Sequence, residues 1–145
     1  MSMIPENKSK NWRTETRLVR GGTQRSKFDE TSEGIYMTSG YVYDSAENAE
    51  AAFKCSNSRY VYSRYANPTV TMFEQRLALL EGADYCVGTS SGMAAVFAVL
   101  MSQISAGDRV VASRALFGSC HYIIQHMLPK FGIDIQFVDG TDIMQ

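Results

Sequence analysis

Two short stretches of this chain carry residue types suited to holding an anion. Ser90-Ser91-Gly92-Met93-Ala94-Ala95 lies between an apolar run, Tyr85-Cys86-Val87-Gly88-Thr89, and a long apolar segment over 94–104. A strand that enters a helix through two serines and a glycine leaves backbone N–H groups open at the helix start, where the helix dipole also favours negative charge. The stretch therefore reads as a phosphate seat, against the alternative that a serine merely caps the helix. The second stretch is Tyr60-Val61-Tyr62-Ser63-Arg64-Tyr65-Ala66-Asn67-Pro68-Thr69. If it is extended, Tyr62 and Arg64 point the same way. A phenol and a guanidinium on one side make a donor pair suited to an oxyanion; the alternative is an aromatic surface patch with a solvated arginine.

These residues need elements to position them. Asn67 followed by Pro68 predicts a helix start, Val70, Phe73, Leu77 and Leu80 recur at helical spacing, and Gly82 ends the run. A second helix is predicted over 92–104. Gly107-Asp108 then turns the chain into Arg109-Val110-Val111-Ala112-Ser113, a short buried strand, and Ala115-Leu116-Phe117-Gly118-Ser119 follows at its carboxyl end. A helix over about 119–130 comes next, with Tyr122, Ile123, Met127 and Leu128 apolar and Pro129 in its last turn. Gly132 stops it, and 133–138 reads as another strand. Strand, helix, strand, helix, strand in this order predicts an α/β fold with a parallel sheet, in which ligands bind beyond the carboxyl ends of the strands. The loops at 89–93 and 113–119 would face one crevice there. A cofactor with a phosphate and a flat ring could set the first on one loop and the second against Phe117, unless Phe117 packs in the core. Upstream, 35–43 reads as extended, and Ser45 caps a helix over 46–53 with Asn48 in the capping-box position.

Composition narrows the function classes. The 145 residues are 45% hydrophobic and 20% charged, enough to bury one core in a single domain or in part of a larger one. The longest apolar run is too short to span a bilayer, and the first thirty residues hold no signal-like apolar core, so a soluble, cytoplasmic protein without a membrane partner is expected. Seven of the fourteen basic residues (Lys8, Lys10, Arg13, Arg17, Arg20, Arg25 and Lys27) fall in the first 27 positions, against Glu6 and Glu15. Because no nucleic-acid motif or aromatic-interleaved basic platform follows, this reads as a solvated or subunit-clasping arm, with no nucleic acid as partner. Cys55, Cys86 and Cys120 suit neither a disulfide framework nor a zinc site, and His121 and His126 do not share a helix face, so no metal is expected.

Taken in order, Tyr62-Ser63-Arg64-Tyr65-Ala66-Asn67-Pro68-Thr69, Leu80-Glu81-Gly82-Ala83, Ser90-Ser91-Gly92-Met93-Ala94-Ala95, Gly107-Asp108 and Leu116-Phe117-Gly118-Ser119 resemble the motifs of the cystathionine γ-synthase family. These are pyridoxal 5'-phosphate enzymes of cysteine and methionine metabolism. The resemblance covers about residues 16–145. Arg20-Gly21-Gly22-Thr23-Gln24, the run over 35–46 and Ala115-Leu116-Phe117-Gly118-Ser119-Cys120 are most similar to the branch that replaces the succinyl group of O-succinylhomoserine with sulfide, giving homocysteine.

The resemblance implies an α/β fold, the first part of a fold-type I pyridoxal-phosphate-dependent transferase large domain. It would have a mostly parallel sheet with flanking helices and an extended N-terminal arm, with the arm and clasping segment over 1–60 and the start of the large domain over 61–145. It also implies that the amides of Gly92 and Met93, with Ser91, hold the cofactor phosphate. Tyr62 and Arg64 would reach the phosphate of a neighbouring subunit, making a homo-oligomer of active-site dimers. Phe117 would stand where many relatives have a ring-stacking tyrosine; it keeps the stacking and lacks the hydroxyl. The family's Schiff-base lysine falls beyond this chain, whose lysines are Lys8, Lys10, Lys27, Lys54 and Lys130. The expectation is thus the amino-terminal part of an enzyme on a small amino-acid substrate, inactive alone, its unpaired strand edges covered by the missing carboxyl-terminal half or by other copies. Alternatives are other members of the family, a cystathionine γ-synthase, a cystathionine lyase or a methionine γ-lyase. A different class, a non-catalytic remnant that binds an anion or a subunit, also stays open.

Overall fold

The computed structural model describes residues 11–54, 59–142 and 144. Glu6, Lys8, Lys10 and Cys55, used in the charge and thiol readings, lie outside these. The chain divides into two compact units, one ending at Gly88 and one starting at Thr89.

The first unit is built on α3, Pro68–Glu81. Its start follows the expected chemistry: Asn67 Oδ1 accepts the Thr69 N–H at 2.9 Å, Pro68 occupies the first turn, and Gly82 closes the helix in the left-handed conformation at φ 68°. The buried face differs from the predicted stripe. Thr71, Met72 and Ala78 are buried, while Val70 and Phe73 are exposed. The reason is what packs there. Part of the arm is helical rather than extended: α1, Thr14–Arg20, docks on α3, with an Arg17 guanidinium N–H donating to the Leu79 carbonyl at 3.2 Å. The chain then turns through Gly22 at φ 70°, where an added Cβ would lie 2.8 Å from the Met72 carbonyl oxygen. Only glycine meets both conditions. Arg76 Nε donates to the Gly21 carbonyl at 2.9 Å, and its guanidinium pairs with Glu33. The predicted short helix is α2, Ala46–Phe53, capped by Ser45, whose oxygen accepts the Asn48 N–H at 3.2 Å. The stretch 35–43 forms no strand; it contributes one antiparallel bridge, Gly40 to Tyr62.

The second unit runs α4 (Gly92–Gln103), β1 (Arg109–Ser113), α5 (Gly118–Tyr122) and β2 (Asp134–Val138). β1 and β2 pair in parallel, Arg109 opposite Asp134 through Ser113 opposite Val138. Its core is Ile123, Ile124, Leu128 and Ile133, against which Val110, Ala112, Ile135 and Phe137 of the strands pack, together with α4. β1 is not fully buried as the apolar run suggested: Val111 is 59% exposed, because in a sheet of two strands only one face is covered. The segment 119–130 is not one α-helix. Beyond α5 it widens into a π-helical turn, Ile123–Met127, in which the Leu128 N–H reaches the Ile123 carbonyl, then tightens into a 3₁₀ turn, Leu128–Phe131. Pro129 has no N–H to offer and its ring crowds the carbonyl four residues back, so a regular helix cannot pass through it. Residues 85–89 are likewise no strand, since no described residue offers them a ladder. No helix among the described residues is long and apolar enough to cross a membrane.

Leu128 is 0% exposed at the centre of the second unit's core. Leu128→Ala should lower the stability of that unit by about 3 kcal/mol in urea unfolding, while exposed Gln125→Ala should change it by less than about 0.5.

Candidate functional site

Ser91 sits in the extended conformation at φ −164°, ψ 163°, and its Oγ accepts the Ala94 N–H at 3.1 Å. Its carbonyl accepts the Ala95 N–H at 3.0 Å and the Thr89 hydroxyl at 2.8 Å. The third and fourth amides of the helix start are therefore satisfied by Ser91, leaving those of Gly92 and Met93. Among the described residues nothing accepts from these two, and an added Cβ on Gly92 would meet nothing within 4 Å. The capping reading holds, and the cap leaves the amides of Gly92 and Met93 without an acceptor among the described residues.

Topology sets the place of this seat within its unit. Both Met93, at one end of α4, and Ile104, just past the other, pack on the core of Ile123, Ile124 and Leu128, so the helix lies along it. The chain then reverses through Gly107 at φ 96° into β1. After β1 the chain passes Leu116 and Phe117 to the start of α5. Phe117 is 71% exposed, which removes the core-packing alternative.

Tyr62 and Arg64 come together by a different geometry from the one predicted. The segment is a turn, with the Tyr65 and Ala66 amides both donating to the Tyr62 carbonyl at 2.9 and 3.1 Å, so strand alternation does not apply. Instead the Arg64 guanidinium lies beside two rings, its carbon 5.1 Å from the Tyr62 centroid and 4.9 Å from that of Tyr65, while the rings themselves meet edge to face at 6.4 Å. Among the described residues no carboxylate pairs with Arg64, whereas Arg59, Arg76 and Arg109 each have one. A cation–π contact holds the guanidinium without consuming its N–H donors. Asn67 holds the turn: besides capping α3, its Nδ2 donates to Ser63 Oγ and to the Tyr36 carbonyl, each at 2.9 Å. Sequence pattern shows the cap but neither this second role nor Tyr65 as a second ring beside Arg64. Tyr62 and Arg64 belong to the first unit; Ser91, Gly92, Met93 and Phe117 belong to the second.

Residues 15–145 match the family model of the Cys/Met metabolism PLP-dependent enzymes. The chain belongs to this family. It is similar to an O-succinylhomoserine sulfhydrylase of Mycobacterium tuberculosis, 55% identical over 127 residues, which is 88% of this chain and 31% of that protein. It is also similar to an L-methionine γ-lyase of Treponema denticola, 36% identical over 127 residues, 88% of this chain and 32% of that protein. Among solved structures, one from Campylobacter jejuni named as an O-acetylhomoserine (thiol)-lyase, carrying a pyridoxyl-lysine phosphate, superposes with a TM-score of 0.85 at 33% identity. It covers 92% of this chain and 33% of that one. The chain thus spans about a third of the length of these relatives. The α/β reading and the fold-type I expectation hold, and pyridoxal phosphate is the family's cofactor. The two unclaimed amides at the α4 start fit its dianionic phosphate.

Asn67 is 8% exposed and carries three bonds. Asn67→Asp, which keeps the cap and deletes both side-chain donations, should cost about 1–3 kcal/mol in thermal or urea unfolding. Asn67→Ala should cost more, by about 1 kcal/mol for the lost cap.

Proposed function

We propose that this chain is the amino-terminal part of a pyridoxal-phosphate-dependent O-succinylhomoserine sulfhydrylase, which exchanges the succinyl group of O-succinylhomoserine for sulfide to give homocysteine and succinate. The observation that carries this is the pair of amides, Gly92 and Met93, left open at a helix start in a chain of this family. The choice of reaction within the family is supported by the higher identity to the sulfhydrylase, 55%, than to the γ-lyase, 36%.

In this reading each named residue binds or orients. The amides of Gly92 and Met93 hold the phosphate; Ser91 Oγ accepts the Ala94 N–H and keeps its own proton to donate. Tyr62 and the Arg64 beside it give further donors, directed at the phosphate of a neighbouring copy in a homo-oligomer. Phe117 lies against the ring, and, having no hydroxyl, moves no proton. When bound, the cofactor acts as an electron sink for carbanions on the amino-acid substrate. Proton transfer falls to a lysine outside residues 1–145, so the chain alone turns nothing over.

The test combines the chain with the carboxyl-terminal portion of the M. tuberculosis relative, adds pyridoxal phosphate and follows the imine absorbance at the visible edge. A band is expected, as is homocysteine from O-succinylhomoserine and sulfide at a higher kcat/KM than from O-acetylhomoserine. Replacing Tyr62 by Phe and Arg64 by Ala together should weaken cofactor retention about tenfold or more. A mixture without a band, or one that makes homocysteine no faster than the chain's partner alone, defeats the reading.

A further inference from the structure

Ser63 stands between Tyr62 and Arg64, and one other segment of the first unit takes both its N–H and its hydroxyl proton. The Ser63 N–H donates to the Ser39 carbonyl at 2.9 Å, and the hydroxyl donates to the Thr38 carbonyl. A serine hydroxyl has one proton, so the other contacts of Oγ are bonds it accepts. They come from Asn67 Nδ2 at 2.9 Å and from the Tyr41 hydroxyl at 3.3 Å. One oxygen thus joins three pieces of chain: a strap over 36–41, the turn over 62–66 and the start of α3. We infer that Ser63 is the positioning residue for Tyr62 and Arg64: its hydroxyl locks the turn that carries both to the strap, so that the two side chains leave a fixed backbone. The inference rests on the function proposed above, which directs these side chains at a phosphate, and every contact that carries it lies within the first unit.

The strap can serve as an anchor because it is pinned at both ends. At one, the Tyr36 N–H donates to Thr69 Oγ1 at 2.9 Å, and the Tyr36 carbonyl accepts Asn67 Nδ2 at the same distance. At the other, the Tyr41 ring stacks on Tyr60 with centroids 5.5 Å apart, and Gly40 bridges Tyr62. The Tyr65 amide returns to the Tyr62 carbonyl, so the peptides before and after Arg64 are both held. Burial follows the same division: Asn67 is buried and Ser63 half-buried, whereas Tyr62 and Arg64 are exposed. The covered residues fix the turn and the exposed ones offer their donors. A long arginine side chain loses much rotamer freedom when it settles against a ring, and a fixed backbone leaves it less to lose.

The experiment compares wild type with Ser63→Ala, Ser63→Thr, Ala78→Gly and Arg64→Ala. In the chain alone, the Arg64 side-chain N–H signal, assigned by its loss in Arg64→Ala, carries a ring-current shift from the two tyrosines beside it. Ser63→Ala should move that signal toward its position in the urea-unfolded chain, and Ser63→Thr, which keeps the hydroxyl, should leave it in place. Ala78→Gly weakens α3 at a buried position away from the turn and should also leave it in place, which separates positioning from a general loss of stability. Mixed with the carboxyl-terminal portion of the M. tuberculosis relative, Ser63→Ala should bind pyridoxal phosphate about tenfold more weakly, and Ser63→Thr within about twofold of wild type. A wild-type Arg64 signal in Ser63→Ala, or an equal shift in Ala78→Gly, overturns the positioning role. Wild-type affinity in Ser63→Ala also overturns it, provided that Arg64→Ala binds weakly. Wild-type affinity in Arg64→Ala overturns instead the assignment of Arg64 to the phosphate, and the signal in Ser63→Ala then decides the positioning by itself. Should Ser63→Ala lose its helical circular dichroism, Ser63→Cys fills the place with a poor donor and acceptor; a shifted Arg64 signal there supports the inference and an unmoved one refutes it.

Discussion

A helix cannot satisfy its own first amides, and much of the chemistry assigned to this chain follows from how Ser91 divides them. One is taken by the serine oxygen and the next by the serine carbonyl, while the two nearest the turn stay open to an outside acceptor. A stronger cap would close the seat, and no cap would let the turn fray. The flanking residues preserve this division: Thr89 ties the Ser91 carbonyl from one side, and the packing of Met93 holds the helix axis from the other.

The other anion-directed feature solves a similar problem without a helix. A lone arginine on a surface spends its time in water, and a carboxylate nearby would consume its charge. Contact with the Tyr62 and Tyr65 rings avoids both outcomes, because a cation–π contact holds the guanidinium without consuming its N–H donors. The turn that makes this contact possible is tied through Asn67 to the same helix whose other end Gly82 closes. Local capping chemistry therefore orders the turn that carries Arg64, four residues upstream of α3.

What could be read from the residues alone was mostly local. Caps at Ser45, Asn67 and Ser91, stops at Gly82 and Gly132, and the parallel pair of strands depend on neighbours in the chain, and each appears in the structure. The misreadings concern partners. Which face of α3 is buried was decided by α1 and Gly22, which no periodicity within 68–81 encodes. Residues 85–89 look like a strand because they are apolar and β-prone, yet a strand exists only where another segment accepts its bonds. Strand alternation would put Tyr62 and Arg64 on one side, but the segment is a turn, and the two side chains meet through a cation–π contact instead. Pro129 was noticed, but its effect on the whole preceding turn was not drawn out.

α4 is apolar almost all the way round, Gly-Met-Ala-Ala-Val-Phe-Ala-Val-Leu-Met over its first ten residues, yet none of its residues is buried and Val99 is 63% exposed. One flank of the helix rests on the core of Ile123, Ile124 and Leu128, so the uncovered remainder, Ala98 and Val99 in it, costs free energy in water in proportion to its area. Any apolar group that covers this remainder in the folded chain and not in the unfolded one would raise the stability of the fold by mass action.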